Sequence, residues 1–397
     1  MTKLSNRVLG MEESVTLAAG TRAKELASQG KDILSLTLGE PDFITPKNIQ
    51  EKAIQSIENG KASFYTAAGG MPELKAAIAS YMQEFYGYTV TSNNIVAGTG
   101  AKFILLCFFM AVLNPSDEVI IPTPYWVSYA DQIKMADGKP VFVEGLESND
   151  FKVTVDQLEA VKTEKTKVLL INSPSNPTGM IYGKEELEAL GNWAVSNDIL
   201  ILADDIYSRL VYNGNHFTAM SCLSEEIRRQ TITINGVAKT YSMTGWRVGF
   251  AVGNHDIIAA MDKILGQTTS NLTTASQYAA IEAFTGDQSA VEEMRQAFEE
   301  RLNIIYPLLS EIPGFKVLKP QGAFYLFPNV KEAMAMTGYT DVTEFTNAIL
   351  EDTGLALVTG AGFGAPYNIR LSYATDLDTL KDAVNRLQVF MSMHSIS

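Results

Sequence analysis

The stretch Asn235-Gly236-Val237-Ala238-Lys239-Thr240-Tyr241-Ser242-Met243-Thr244-Gly245-Trp246-Arg247-Val248-Gly249 decides how the chain is read. A β-branched run over 231–234 leads into it, small residues follow, and one lysine stands among them. Arg247 comes eight residues after Lys239, behind a Gly-Trp turn. A lysine in so tight and apolar a setting pays a desolvation cost. Burial disfavours its charge and leaves a nucleophilic amine. Imine chemistry with an aldehyde cofactor needs such an amine.

Outward from this stretch the chain alternates. Strands are expected over 95–97, 118–121, 140–143, 167–171, 199–203, 231–234 and 248–252. Between them helices are expected over 102–113, 126–135, 155–162 and 184–196, with amphipathic helices earlier over 11–30, 46–59 and 71–86. A further strand is read over 33–38. Strands alternating with helices predict an α/β fold with a mostly parallel sheet covered on both faces. From about residue 285 the texture changes. A long charged helix over 289–309 leads into short strands over 315–318, 323–327, 356–358 and 368–372, with helices over 342–351 and from 376. Two units are therefore expected: a large one over 46–285, and a smaller α+β one from 1–45 plus 286–397, which closes on substrate. No internal repeat or low-complexity linker is visible.

The whole chain narrows the possibilities. Its 397 residues exceed one compact domain, and its 46% hydrophobic and 19% charged composition is that of a globular enzyme. A net charge of −14 argues against nucleic acid and anionic membrane as partners, and requires any anionic ligand to be held by locally placed donors. Two cysteines, Cys107 and Cys222, read as free thiols, and the three histidines fit no zinc spacing, so no metal is expected. The start of the chain has no apolar signal segment, and the longest apolar run, 103–113, is too short to span a bilayer. A soluble cytoplasmic protein is the expectation.

In an open α/β sheet, ligands bind at the carboxyl ends of the strands, and each chemical candidate falls just after one. Gly98-Thr99-Gly100-Ala101-Lys102 opens a helix, where free N–H groups and the helix dipole favour an anion. Phe103 stands where a dinucleotide fingerprint needs its last glycine, which argues against a nicotinamide dehydrogenase. Trp126 ends a strand and can stack on a planar ring. Asn176, pinned before a proline, offers an amide. Asp204 ends an apolar strand, where a carboxylate needs a cationic partner; pairing it with a protonated ring nitrogen supplies one, and Tyr207 would face an oxygen of the same ring. Beside it, Asp205 reads as an exposed helix cap. Arg370, a charge in an apolar strand, suits bidentate carboxylate binding, though alternation could equally turn it to solvent.

Together these pieces resemble one family over nearly the whole chain: the class I, pyridoxal-phosphate (PLP)-dependent aminotransferases of fold type I. Within them the chain is most similar to the bacterial aspartate aminotransferases that carry Leu38-Gly39-Glu40-Pro41-Asp42-Phe43, Pro124-Tyr125-Trp126-Val127-Ser128-Tyr129, Asn172-Ser173-Pro174-Ser175-Asn176-Pro177-Thr178-Gly179 and Met243-Thr244-Gly245-Trp246-Arg247. The resemblance implies that Lys239 binds the cofactor aldehyde and then moves the proton. Asp204 would keep the pyridine nitrogen protonated, Tyr207 and Asn176 would contact the ring 3′ oxygen, and Trp126 would stack on the ring. The amides of Gly100, Ala101 and Lys102, with Arg247, would hold the phosphate. Tyr65 would reach the phosphate of a neighbouring subunit, implying a homodimer with shared sites. Arg370, Asn176 and the amide of Gly39 would bind the α-carboxylate, with Trp126 beside the substrate. One departure stands out: many relatives carry a serine three residues before the lysine, and this chain has Gly236.

The substrates implied are amino acids and 2-oxo acids. By the resemblance Lys102 serves a distal carboxylate, and Ser14 and Thr16 match residues near it. The expected reaction moves the amino group of L-aspartate to 2-oxoglutarate, giving oxaloacetate and L-glutamate. The alternatives are an aromatic-amino-acid or prephenate aminotransferase and, less favoured, a PLP β-lyase. Fold does not decide among these. From another class, a non-catalytic PLP-binding regulator is disfavoured by the acidic charge.

Overall fold

The computed structural model describes residues 3–11 and 15–395. Its strands, in chain order, are β1 Leu34–Ser35, β2 Ile95–Thr99, β3 Glu118–Thr123, β4 Lys139–Glu144, β5 Thr166–Asn172 and β6 Leu200–Asp204. There follow β7 Thr231–Gly236, β8 Val248–Val252, β9 Tyr325–Leu326, β10 Leu355–Ala356, β11 Val358–Thr359 and β12 Ile369–Ser372. β2 to β8 form one seven-stranded sheet in the order β2-β8-β7-β6-β5-β3-β4. Its β7-β6-β5-β3-β4 pairings are parallel, and β8 alone runs against both its neighbours. This is the mostly parallel mixed α/β sheet that the alternation predicts.

Both faces are covered, and the two-residue period of the strands divides them. Val119, Leu170, Leu202 and Ile234 turn to one side and pack on Ile104 and Phe108 of the helix Ala101–Val112. Their neighbours Ile120, Leu169 and Ile201 turn to the other and pack on Leu187, Leu190 and Trp193 of the helix Lys184–Ser196. Each such aliphatic side chain, fully buried, contributes about 1.5–3 kcal/mol.

A second core gathers Phe298 and Leu302 of the helix Ser289–Ser310, Phe345 of Val342–Thr353, and Leu387 and Phe390 of Leu377–His394. Over it lie a three-stranded antiparallel sheet, β11-β12-β9, and the parallel pair β1-β10. Tyr207, Leu210 and Tyr212 belong to this same core although they follow β6. The expected division at 46–285 therefore remains a proposal, for the wall between the two units is shared.

Several elements differ from expectation. The strand over 33–38 shrinks to Leu34–Ser35, because Leu36 and Thr37 bond outside a regular ladder: the Leu36 carbonyl to the Ser372 amide, the Thr37 carbonyl to the Arg370 side chain. The strand over 315–318 is only a bridge between Lys316 and Asn329, cut short by Gly314 and Pro320. The helix expected from 126 begins at Ser128. Two long helices went unread, His255–Gln267 and Thr274–Thr285. The second has no apolar stripe because it is buried on several sides through small and polar residues. Its fully buried Gln277 accepts the Met71 amide and donates to Thr66 Oγ1, both at 2.8 Å.

Candidate active site

The register of the sheet aligns strand ends. Asn172 stands opposite Asp204, and Asp204 opposite Ile234. Gly236 faces Gly249, which on its other side faces Gly98. The turns leaving β2, β5, β6 and β7 therefore open at one edge, beside the start of β8. They line a cleft of about 410 Å³ that contains Gly39, Ala101, Lys102, Trp126, Asn176, Asp204, Tyr207, Lys239, Arg247 and Arg370. Gly100 lies just behind, with φ +82°, and any Cβ there would run into the Arg247 guanidinium. Tyr65 is not in the cleft; it is 91% exposed on a surface loop. Ser14 lies outside the described residues, and nothing is described of the Thr16 side chain. A second cleft of about 530 Å³ adjoins the first and shares Lys102 and Arg247.

Lys239 follows β7 and donates from Nζ to the Gly39 carbonyl. The rings of Tyr207 and Phe324 lie 5.9 and 5.8 Å from its nitrogen. Burial first, then the charge of Arg370, pull its amine down to about 8. Asp204 Oδ2 accepts the Tyr129 hydroxyl at 2.5 Å, and Oδ1 accepts the Ile206 amide at 3.2 Å. Burial nevertheless pushes the carboxyl up to about 6, against the lowering effect of those two donors. Its side chain therefore favours a cationic partner that burial does not supply.

Arg370 is 2% exposed, so alternation turns it inward and not to solvent. One Nη donates to Asn176 Oδ1 at 3.0 Å and the other to the Thr37 carbonyl at 2.8 Å, while its buried Nε has no partner among the described residues. The rings of Tyr325 and Phe363 cover it at 4.5 and 5.1 Å. Asn176 spends its oxygen on Arg370, which leaves its NH₂ free to meet a ligand oxygen. Tyr207 and Tyr325 share a hydroxyl bond of 2.8 Å. Arg247 adopts φ 56° and bonds the Thr244 carbonyl at 3.0 Å, which turns it toward Gly100. Lys102 Nζ stands 5.1 Å from the Trp126 ring, and burial and Arg247 both lower its pKa.

Gly236, where relatives were expected to carry serine, is closed to a side chain in this backbone: a Cβ would lie 2.7 Å from the Val248 carbonyl. Asp205 is a correction. It is 4% exposed, not an exposed cap, because Tyr86 closes over it and donates to its carboxyl at 3.0 Å. Three cleft-side residues escaped the sequence reading: Thr37, Tyr129 and Tyr325. Tyr129 had a signal, since it ends the same run of residues that carries Trp126, and its amide bonds back to the Trp126 carbonyl at 3.1 Å.

The cleft suits a flat, anionic, phosphorylated pyridine. Backbone amides at a helix start and a guanidinium lie at one end, and a buried carboxyl short of a cation lies at the other. Comparison with known proteins agrees. The sequence profile of aminotransferase class I and II matches residues 31–387. An asparagine--oxo-acid transaminase of Streptococcus mutans is 70% identical over 98% of this chain and 100% of its own. An aspartate aminotransferase of Bacillus subtilis is 50% identical over 99% and 100%. The solved structure of aspartate aminotransferase from Thermus thermophilus with maleate superimposes with a TM-score of 0.93, at 37% identity over 98% of this chain and 100% of that one. The chain belongs to the class I and II aminotransferases, and is a PLP-dependent enzyme that moves amino groups between amino acids and 2-oxo acids.

Proposed function

We propose that the enzyme transfers the amino group of L-aspartate to 2-oxoglutarate, giving oxaloacetate and L-glutamate. The observation that carries this reading is Lys102, a cation in the cleft that pairs with no carboxylate among the described residues. A distal carboxylate would complete it. The name of the Bacillus subtilis relative and the dicarboxylate in the Thermus structure support the same reading. A second reading, asparagine as amino donor, is favoured by the Streptococcus mutans relative. An amide in place of the distal carboxylate would still accept a hydrogen bond from Lys102.

PLP, when bound, supplies an aldehyde that takes up the amino group and a protonated ring that draws electrons from the α-carbon. The rest is work for the chain's own residues. Lys239, whose amine burial brings down to about 8 and so makes easier to deprotonate, is the nucleophile and then carries the proton to and from the α-carbon. Asp204 holds the proton on the ring nitrogen, and Tyr129 helps to keep that carboxyl ionised. Tyr207 and Asn176 would meet the ring oxygen, Trp126 would stack on the ring, and Gly100, Ala101, Lys102 and Arg247 would hold the phosphate. Arg370, with Asn176 and Gly39, grips the α-carboxylate, and the covering rings of Tyr325 and Phe363 keep water from its guanidinium. Exposed Phe64 and Tyr65 suit a homodimer in which Tyr65 reaches the partner's phosphate.

The test is the absorbance spectrum of the purified enzyme as single amino acids are added without a 2-oxo acid. Aspartate and glutamate should convert the pyridoxal chromophore to the pyridoxamine form, and oxaloacetate should restore it. Conversion by asparagine in preference to aspartate would replace the first reading with the second. Conversion by phenylalanine or tyrosine alone would overturn both.

A further inference from the structure

Consecutive residues of a strand point to opposite faces, and at the end of β6 this separates two acids. Asp204 faces the cleft. Asp205 faces the other side of the sheet and is equally buried, each being 4% exposed. Each carboxyl is held by one tyrosine: Tyr129 donates to Asp204 at 2.5 Å and Tyr86 to Asp205 at 3.0 Å. The Tyr86 oxygen in turn accepts Asn235 Nδ2 at 3.0 Å, and the same amide donates to Ser208 Oγ at 3.1 Å. Asn235 Oδ1 accepts the Gly236 amide at 2.8 Å. A chain of buried bonds thus runs from Asp205 through Tyr86 and Asn235 to the turn that carries Lys239.

No lysine or arginine pairs with Asp205 among the described residues. The ionisable groups facing it are Asp204, Tyr81, Tyr86, Tyr88 and Cys222. Of the nearby arginines, Arg209 lies over the Phe85 ring with a buried Nη1 that bonds nothing among the described residues, and Arg228 lies over Tyr88 and bonds the Ser221 carbonyl; neither bonds Asp205. Burial and the neighbouring Asp204 charge hold the Asp205 carboxyl well above the usual carboxylate range. Two ionised carboxylates on adjacent buried residues would repel, and a charge at 205 would drive Asp204 toward protonation.

We propose that Asp205 is a positioning residue that acts as a neutral acid: it keeps its proton, leaves Asp204 the one negative charge at this strand end, and through Tyr86 and Asn235 fixes the turn that delivers Lys239. This rests on the reading of Asp204 as the partner of the ring nitrogen.

The experiment compares the PLP-loaded wild type with Asp205→Asn, Asp205→Ala and Tyr86→Phe. Three quantities are read: the infrared carbonyl band of a protonated carboxylic acid at neutral pH, the pH midpoint of the lysine–cofactor chromophore, and PLP affinity. The wild type should show a carboxylic-acid band that Asp205→Asn lacks. Asparagine, neutral and nearly the same shape, should leave the midpoint in place. Asp205→Ala and Tyr86→Phe should move it and weaken PLP binding roughly tenfold. If no band is lost in Asp205→Asn, or if that variant moves the midpoint as far as Asp205→Ala does, the proposal is overturned. Should Asp205→Ala fail to fold, Tyr86→Phe, which removes one hydroxyl, makes the same comparison. Asp204→Asn separates the two readings. Unchanged PLP binding there removes the role of Asp204, whereas the Asp205 band reports its own proton directly.

Discussion

The floor of the cleft and its wall are built differently. Asp204, Lys239 and the Gly100 turn leave β6, β7 and β2 of one sheet, with β8 between the last two, and continuous ladders fix their spacing. Gly39, Tyr325 and Arg370 come from three distant segments; β9, which carries Tyr325, is two residues long, and so is β1, which Gly39 follows. Side chains tie this wall together: Arg370 to Thr37 and Asn176, and Tyr325 to Tyr207. Under the proposed assignment the floor holds what stays, the cofactor, and the wall holds what comes and goes, the substrate. A laddered floor resists displacement. A wall joined by a few side-chain bonds can shift without unzipping a sheet.

The severest test of the floor is Lys239→Ala, which removes nucleophile and proton carrier together. Turnover should fall by at least about 10⁴-fold, read as single-turnover conversion of the chromophore by aspartate; a loss under tenfold would break the assignment. The wall is tested by Arg370→Gln. It should lower kcat/KM roughly 10²- to 10³-fold for every amino acid alike while PLP affinity, measured by absorbance titration, stays near that of the wild type. Equal damage to PLP binding would erase the distinction between floor and wall. Lys102→Ala should cost roughly 10- to 100-fold with aspartate and glutamate and much less with phenylalanine. Parallel losses on all three would leave Lys102 with no part in choosing the substrate.

Tyr129→Phe is milder and sharpens the floor. The hydroxyl favours the ionised form of Asp204, so its loss should raise that carboxyl further above about 6 and weaken PLP binding roughly tenfold, most below neutral pH. A PLP affinity profile against pH that coincides with the wild type would rule this out. The smallest effect concerns the protein without PLP. The raised Asp204 contributes stability that is present below its ordinary value and lost as pH rises through about 6. The lowered Lys239 contributes stability that is present above its ordinary value and lost as pH falls through about 8. Between those values both burial costs stand, so thermal shift measurements should find PLP most stabilising there. Stabilisation that is flat from pH 4 to 10 would contradict the two shifts.

The floor was legible because each of its strands is an apolar run closed by turn residues, so Asp204, Asn176 and Lys239 could be placed at strand ends from local pattern alone. The wall was not. The alternation around Arg370 allowed either face, and what decides it, the Thr37 carbonyl and the Asn176 side chain, lies 333 and 194 residues away. Tyr325 sits in a stretch of aromatic residues with nothing local to single it out. Asp205 read as a cap because nothing near it in sequence announces Tyr86, which arrives from the end of the helix Pro72–Phe85. The helix Thr274–Thr285 hides for a related reason: burial on several sides by small and polar residues erases the stripe that periodicity detects.

The fixed guanidinium of Arg370 also bears on handedness. An amino acid gripped there by its carboxylate, with its nitrogen toward the floor, has two groups left to place: a hydrogen and a side chain. Under the proposed assignment Lys239 takes a proton from its own side only, and its nitrogen lies 5.9 and 5.8 Å from the Tyr207 and Phe324 rings. One enantiomer offers that side a hydrogen; its mirror image would thrust a side chain into the lysine. Under that assignment the cleft would distinguish left from right with no contact devoted to the purpose, because two anchors and a one-sided base already exhaust the choices at a tetrahedral carbon.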